Sequence, residues 1–275
     1  MKQPAAFDAV AQAYDRSFTH SSVGAMQRQS VYRQLEVYLE KYDLHKVLEL
    51  NCGTGEDACW LARQGRQVWA TDLSAEMVAV AKNKASQLLP EEQRPQFGQL
   101  AVEDLAGFDK AGDFDLVFSN FGGLNCLSPP ALAQSMADIA AKLRPGGIFA
   151  AVIMGRFCAW ESLYFLAKRQ WKQAWRRQAK GPIAAPLSEG VHVDTWYYGP
   201  SAIKKLATPH FHPLQLSPIG WALPPSYLDS WFQTHPRFLS WLDRWEQRGQ
   251  STPWLAQGAD HYLWVLQKPI NQKTS

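Results

Sequence analysis

Apolar and polar positions alternate with two different periods along this chain, and the switches between them predict its elements. Val47, Leu48 and Leu50 make a short apolar run that predicts a strand over 45–50, and Ala58, Leu61 and Ala62 follow at helical spacing over 56–64. A second strand is expected over 67–71, ending at Asp72. Ser74 then offers a helix cap ahead of the stripe Met77, Ala81, Ala85 and Leu88, which Pro90 ends. Strands are expected at 97–102, 114–118 and 148–154. A helix opened by Pro129 and Pro130 carries Leu132, Met136, Ile139 and Leu143 between the last two. Upstream, Phe7, Val10, Ala11 and Tyr14 and then Val31, Leu35, Tyr38 and Leu39 predict two helices, joined by a loop from His20 to Gly24.

After Met154 the rhythm lapses. Trp160, Leu163, Tyr164, Ala167, Trp171, Ala174 and Trp175 recur at helical spacing, and 181–190 reads as loop. Residues 191–198 alternate like a strand, with His192, Asp194, Trp196 and Tyr198 on one face and Val191, Val193, Thr195 and Tyr197 on the other. A helix is expected over 200–207 and strands over 214–219 and 261–266. Between these strands, 224–248 forms a helical insertion rich in tryptophan, with Pro236 at a first helical turn.

Strands alternating with helices at this spacing predict a parallel sheet covered on both faces, with ligands beyond the C-terminal strand ends. Asn51 to Gly55, Asp72, Val102-Glu103 and Asn120 all fall at such ends. The glycine-bearing turn Asn51-Cys52-Gly53-Thr54-Gly55 lets a ligand approach bare backbone, and the helix behind it presents free N–H groups. Taken alone, the turn also satisfies the G-x-G-x-x-A dinucleotide pattern, with Asp72 where a ribose-binding acid belongs.

Four segments together narrow that choice. Leu48-Glu49-Leu50-Asn51-Cys52-Gly53-Thr54-Gly55, Thr71-Asp72-Leu73-Ser74-Ala75-Glu76-Met77, Phe114-Asp115-Leu116-Val117-Phe118-Ser119-Asn120 and Leu143-Arg144-Pro145-Gly146-Gly147 resemble the class I S-adenosylmethionine-dependent methyltransferases of the small-molecule group. The Leu-Arg-Pro-Gly-Gly turn is foreign to dehydrogenases. The resemblance implies an α/β fold: a Rossmann-like, doubly wound, seven-stranded sheet, mostly parallel with one antiparallel strand, plus helical lid insertions. It implies a helical lid at 1–44, a cofactor-binding core at 45–154, a lid or substrate insertion at 155–199, and the end of the core at 200–275.

The resemblance also implies roles toward S-adenosyl-L-methionine. Asn51, Gly53 and Gly55 would line the methionine moiety, with Glu49 fixing the loop and Tyr14 reaching the carboxylate. Asp72 would take the ribose hydroxyls, Leu73 and Met77 would pack on the adenosine, Val102 and Glu103 would flank the adenine, and Asn120 would sit near the methionine end. Two positions depart from the pattern. Asn51 stands where a glycine is usual and would adopt left-handed dihedrals at some cost. Ala101 stands where relatives often carry an acid for the adenine amino group, which leaves Glu103 as the substitute.

Composition sets bounds on partners. The net charge is +3 over 275 residues, which is no nucleic-acid-binding composition, and the turn after the fourth strand lacks the Pro-Pro-aromatic motif of base methylation. The four cysteines are scattered, as expected of reduced thiols in a cytoplasmic protein, and no metal site is expected. No stretch is long and apolar enough for a signal peptide or a transmembrane helix. Of 12 tryptophans only Trp60 and Trp69 precede residue 150, so the two halves bury different surfaces. Lys168, Arg169, Lys172, Arg176, Arg177 and Lys180 follow one another without an acid. They read as the solvated face of a lid helix, as a peripheral membrane contact through 160–180, or as an anion-binding patch.

The expected activity is in-line methyl transfer to a small, apolar or aromatic acceptor. A cofactor-binding module without turnover, associated with a membrane surface, and an enzyme with a lipid-type acceptor are the alternatives. His192 is the candidate base; Phe18, Asn125, Trp160, Trp196 and Tyr198 are the candidate acceptor contacts. Oligomeric state is not readable from the sequence.

Overall fold

The computed structural model describes residues 6–15, 19, 21–109, 114–188 and 190–270. Among these residues nine strands run in chain order: β1 (Lys46–Leu50), β2 (Gln67–Asp72), β3 (Gln96–Gln99), β4 (Phe114–Ser119), β5 (Leu143–Met154), β6 (Ile183–Ser188), β7 (Val191–Thr195), β8 (His212–Ile219) and β9 (His261–Gln267). Seven of them form one sheet in the order β3-β2-β1-β4-β5-β9-β8, and β6 and β7 form a separate hairpin. β9 lies antiparallel between β5 and β8, while β1 to β5 pair in parallel. This is the expected doubly wound sheet with its one antiparallel strand.

Both faces of the sheet are buried, so adjacent residues of a strand feed different cores. Val47, Leu116, Ile148 and Val265 pack under α2 (Ser22–Lys41) and α3 (Glu56–Arg63). Leu48, Val117, Phe149 and Leu266 pack against α5 (Pro129–Lys142) and α8 (Pro200–Ala207). Continuous apolar strands are what a sheet covered on both sides requires. The helix α4 (Ala75–Leu88) starts where predicted, Ser74 Oγ accepting from Met77 N at 3.0 Å. The Arg-Pro-Gly-Gly turn is instead an irregular stretch inside β5, with Gly146 at φ +77°.

The segment expected as an N-terminal lid divides in two. A 3-10 turn at Ala6–Val10 and the one-turn helix α1 (Ala11–Tyr14) lie over the strand ends, whereas α2 is buried along its length and belongs to the core. The basic stretch forms two short helices, α6 (Ala159–Ala167) and α7 (Trp171–Ala174), broken at Arg169 with φ +57°. The loop expected at 181–190 contains β6, because Ile183, Ala185 and Leu187 alternate inward despite Pro186. The insertion before β9 holds α9 (Asp229–Gln233) and α10 (Pro236–Gly249), with Pro236 in the first turn as expected.

Candidate functional site

The strand ends of β1, β2, β4 and β5 open into one cavity of about 320 Å³. That volume lies within the range of small-molecule sites. Its floor is the β1–α3 turn. Asn51 sits at φ +55°, the left-handed conformation expected of it, and Gly53 at φ +52°. A Cβ on Gly53 would meet nothing within 4 Å, so this backbone faces open cavity. A Cβ on Gly55, at φ +77°, would instead stand 2.8 Å from Ala81 Cβ; this glycine serves helix packing behind the turn.

Asp72 ends β2 and faces the same space. Its Oδ2 accepts from Gly53 N and its Oδ1 from Ser74 N, each at 2.9 Å. Burial raises its pKa, those two hydrogen bonds oppose the shift, and Asp8 adds to it. Leu73, half exposed at the mouth, and Met77, buried, line the wall beside it. On the other side a polar cluster surrounds Asp57. Arg28 Nη1 donates to Asp57 Oδ1 at 2.5 Å, Tyr32 Oη to the same oxygen at 2.6 Å, and Asn120 Nδ2 to Oδ2 at 3.0 Å. Arg28 Nε, buried, has no hydrogen-bond partner among the described residues. Burial works against this guanidinium charge, but Asp57 holds it firmly protonated. Burial pushes the Tyr14 phenol up to about 12, so at neutral pH it is a hydrogen-bond donor.

The roof is apolar. Phe7 from the N-terminal turn, Phe121 and Met154 from the β4 and β5 ends, and Ala185, Leu187 and Val193 from the hairpin line it. The hairpin packs on the N-terminal turn, so two segments distant in sequence close one space. Lys84 fastens this cover to the floor. Its Nζ lies 2.7 Å from Asp15 Oδ2 and 3.0 Å from Glu56 Oε2, and Thr54 Oγ1 donates to Asp15 Oδ1 at 2.6 Å.

The expected cofactor residues Tyr14, Asn51, Gly53, Asp72, Leu73, Met77 and Asn120 converge on the cavity. Glu49 lies fully buried beneath it. Burial first, then Asp57, holds its carboxyl well above the usual carboxylate range. Gly55 lies behind the turn, Val102 is buried in the core, and Glu103 is exposed beside Cys126 at the cavity's edge; none of these three lines the cavity itself.

The acceptor candidates fare differently. His192 is exposed on β7, because the neighbours that alternate with it, Val193 and Thr195, point into the cavity. Asn125 is a structural clamp: Oδ1 accepts from Met154 N at 2.9 Å and Nδ2 donates to Met154 O at 3.2 Å. Trp196 packs on the core, and Tyr198 is buried with its hydroxyl donating to Leu127 O at 2.6 Å. Trp160 donates to Ala222 O at 3.0 Å and meets Phe232 edge-on. Phe18 lies outside the described residues. Sequence reasoning missed Arg28, Asp57, Phe121 and the Val193 face of β7. The one available signal was Arg28 and Tyr32 spaced i, i+4 on an otherwise core-facing helix, opposite an acid in the first turn of α3.

The basic run is largely internal at its C-terminal end. Arg177 donates to Glu161 Oε2 at 2.9 Å and to Asp260 Oδ1 at 2.6 Å, and Arg176 Nη2 lies 2.9 Å from the same Glu161 oxygen. Arg177 is thus buried and Arg176 half-buried, while Lys168, Arg169, Lys172 and Lys180 remain exposed. No helix among the described residues is long and apolar enough to cross a membrane.

Residues 47–147 match the family described as methyltransferase domain. The demethylmenaquinone methyltransferase of Clavibacter sepedonicus is 32% identical over 143 residues, 52% of this chain and 54% of that protein. The trans-aconitate 2-methyltransferase of Deinococcus radiodurans is 31% identical over 123 residues, 45% of this chain and 43% of that one. The chain spans about half the length of the curated relatives it matches. Among solved structures, a S-adenosylmethionine-dependent methyltransferase from Clostridium acetobutylicum covers 96% of this chain and 100% of its own at TM-score 0.59 and 13% identity. The 1,6-didemethyltoxoflavin-N1-methyltransferase of Burkholderia thailandensis covers 96% of this chain and 87% of its own at TM-score 0.55 and 18% identity. Residues 47–147 are thus matched as a methyltransferase domain, and the whole chain shares the fold of solved S-adenosylmethionine-dependent methyltransferases.

Three observations fit that cofactor to these residues. Asp72 offers a carboxylate already held by two N–H groups, the missing Cβ of Gly53 leaves room above the turn, and the buried Nε of Arg28 has no acceptor among the described residues.

Proposed function

We propose that the protein methylates a small acceptor whose reacting atom is attached to an apolar body. The observation that carries this is the single cavity, polar from Asp72 to Arg28 and apolar from Phe121 to Val193. When bound, the cofactor supplies an electrophilic sulfonium methyl and its own leaving group.

The residues of the chain then have defined tasks. Asp72 accepts from the ribose hydroxyls, and Leu73 and Met77 cover the adenosine. Arg28 and the protonated Tyr14 hold the methionine carboxylate. Phe7, Phe121, Met154, Leu187 and Val193 exclude water and orient the acceptor against the donor, which is where methyl transfer gains most of its rate. Tyr14 donates hydrogen bonds and does not take a proton, so acceptors that are neutral amines or already ionised suit the site best. The names of two similar proteins give small-molecule acceptors, demethylmenaquinone and 1,6-didemethyltoxoflavin, which supports the acceptor class.

The test is release of S-adenosylhomocysteine with a panel of phenols, quinols, ring amines and short polar acids. Turnover is expected with the ring-bearing compounds. Binding of the cofactor with no turnover of any, or turnover of the polar acids alone, would overturn the reading.

A further inference from the structure

α10 carries two apolar stripes, and the fold covers one of them. Leu239 and Leu242 pack with Val23, Leu223 and Phe232, while Glu246 on the same stripe accepts from Gly220 N at 2.7 Å and Ala222 N at 2.9 Å. The helix is therefore fully seated. Away from its buried stripe a seated surface helix is ordinarily polar. Here the flank about a quarter-turn round from that stripe presents Phe238, Trp241 and Trp245 at i, i+3 and i+7, exposed by 41%, 46% and 40%, and the face opposite the stripe carries Arg237 and Arg244. Trp231 of α9, 52% exposed, extends the row. The rings touch in sequence: Trp231 and Phe238 at 6.1 Å between centroids, Phe238 and Trp241 at 5.7 Å, Trp241 and Trp245 at 6.0 Å. Single exposed apolar residues need no explanation, but a contiguous row does.

The exposed charge that α9 and α10 set beside the row has one sign. Arg237, Arg244 and Arg248 are exposed, and Arg248 lies over the Trp245 ring at 5.0 Å. The acids of α9 and α10 are turned away: Asp229 is buried and accepts from Val23 N at 2.8 Å, Asp243 pairs with Arg33 at 3.3 Å, and Glu246 is buried. A second copy of the chain laid on this face would set arginine against arginine. A 14-residue helix rises about 21 Å, too short to span a bilayer, but its tryptophan and arginine content suits a bilayer surface. Tryptophan sits well where one side is apolar and the other wet.

We propose that Trp231, Phe238, Trp241 and Trp245, fringed by Arg237, Arg244 and Arg248, dock the protein on an anionic lipid bilayer, with α10 lying in the interfacial plane. This surface is distinct from the basic stretch at 160–180, and it stands independently of the acceptor reading.

The test is flotation of the full chain with vesicles of phosphatidylcholine alone and of phosphatidylcholine with phosphatidylglycerol. Partition onto the anionic vesicles is expected to exceed that onto neutral ones, and to fall in about 1 M salt. The triple variant Arg237→Gln, Arg244→Gln, Arg248→Gln should lower anionic partition by about 100-fold, at roughly fivefold per arginine. Trp241→Ser with Trp245→Ser should lower partition onto both. Retained binding of S-adenosylhomocysteine confirms that each variant is folded, and the arginine variant alters exposed groups alone. Absence of flotation with anionic vesicles, or equal flotation of the arginine variant, overturns the proposal. So does a dimer in sedimentation that the tryptophan variant dissociates, since the face is then covered by a second copy.

Discussion

Arg28 and Asp57 meet at 2.5 Å beneath the cavity, joining the long helix α2 to the first turn of the helix behind the glycine loop. The pair is buried, and Asp57 also holds Tyr32 and Asn120. Asp57 therefore fixes the position of Arg28, whose guanidinium lies 4.9 Å over Phe121 and whose Nε has no partner among the described residues. In the proposed role of Arg28, Met in its place removes a charged hydrogen-bond donor from the cofactor's carboxylate. That is expected to weaken S-adenosylhomocysteine binding by about 10- to 100-fold, from about 1.5–3 kcal/mol per charged hydrogen bond. Calorimetric titration, with folding checked by circular dichroism, measures it.

Asp72 gives the pH dependence of binding. Its raised pKa means that, on acidification, it takes up a proton earlier than an ordinary aspartate. Protonation removes acceptor capacity from the carboxylate, so affinity should be full at neutral pH and decline as pH falls, with its midpoint above the ordinary 3.8. Titrations across pH should show this for the wild type. Asp72→Asn should bind weakly and show no such inflection.

The two loop glycines separate binding from folding. Gly53→Ala strains a φ of +52° by about 1–2 kcal/mol and puts a methyl into open cavity. It should lower affinity on the order of tenfold while the fold persists. Gly55→Ala adds a 2.8 Å clash with Ala81 to its strained φ. It should melt earlier than Gly53→Ala by an equivalent of about 1–3 kcal/mol. Thermal denaturation and titration of the same two proteins decide it.

Much of this could be read from local sequence. The β1–α3 turn, the Ser74 cap, Asp72 at its strand end and Pro236 in a first turn each depend on a few neighbouring residues, and each stands where expected. What escaped depends on partners far along the chain. β6 hides behind Pro186 and exists through pairing with β7. His192 and Val193 are equally plausible cavity residues until the hairpin's seat on the N-terminal turn chooses the Val193 face. The run from Lys168 to Lys180 reads as one charged face, yet Arg177 turns inward to meet Asp260, 83 residues away.

That inward turn has a measurable cost. Arg177 neutralises Glu161 and Asp260, both buried and both held below their usual range: burial alone would raise them, but Arg176 and Arg177 outweigh it at Glu161, and His261 and Arg177 at Asp260. Arg177→Met would leave two buried carboxylates short of a partner and should destabilise the protein by about 3–5 kcal/mol. The wild-type contribution should be present above the ordinary carboxylate range and lost as pH falls through the lowered values, so the gap in melting temperature should narrow in acid.

The central claim is that the cavity between Asp72 and Arg28 binds S-adenosylmethionine. Calorimetric titration of S-adenosylhomocysteine into the wild type, Asp72→Asn and Arg28→Met, with NAD as control, tests it most directly. Saturable one-to-one binding to the wild type, strong weakening in both variants and no heat from NAD are expected. Undiminished binding in both variants, or preference for NAD, would contradict it.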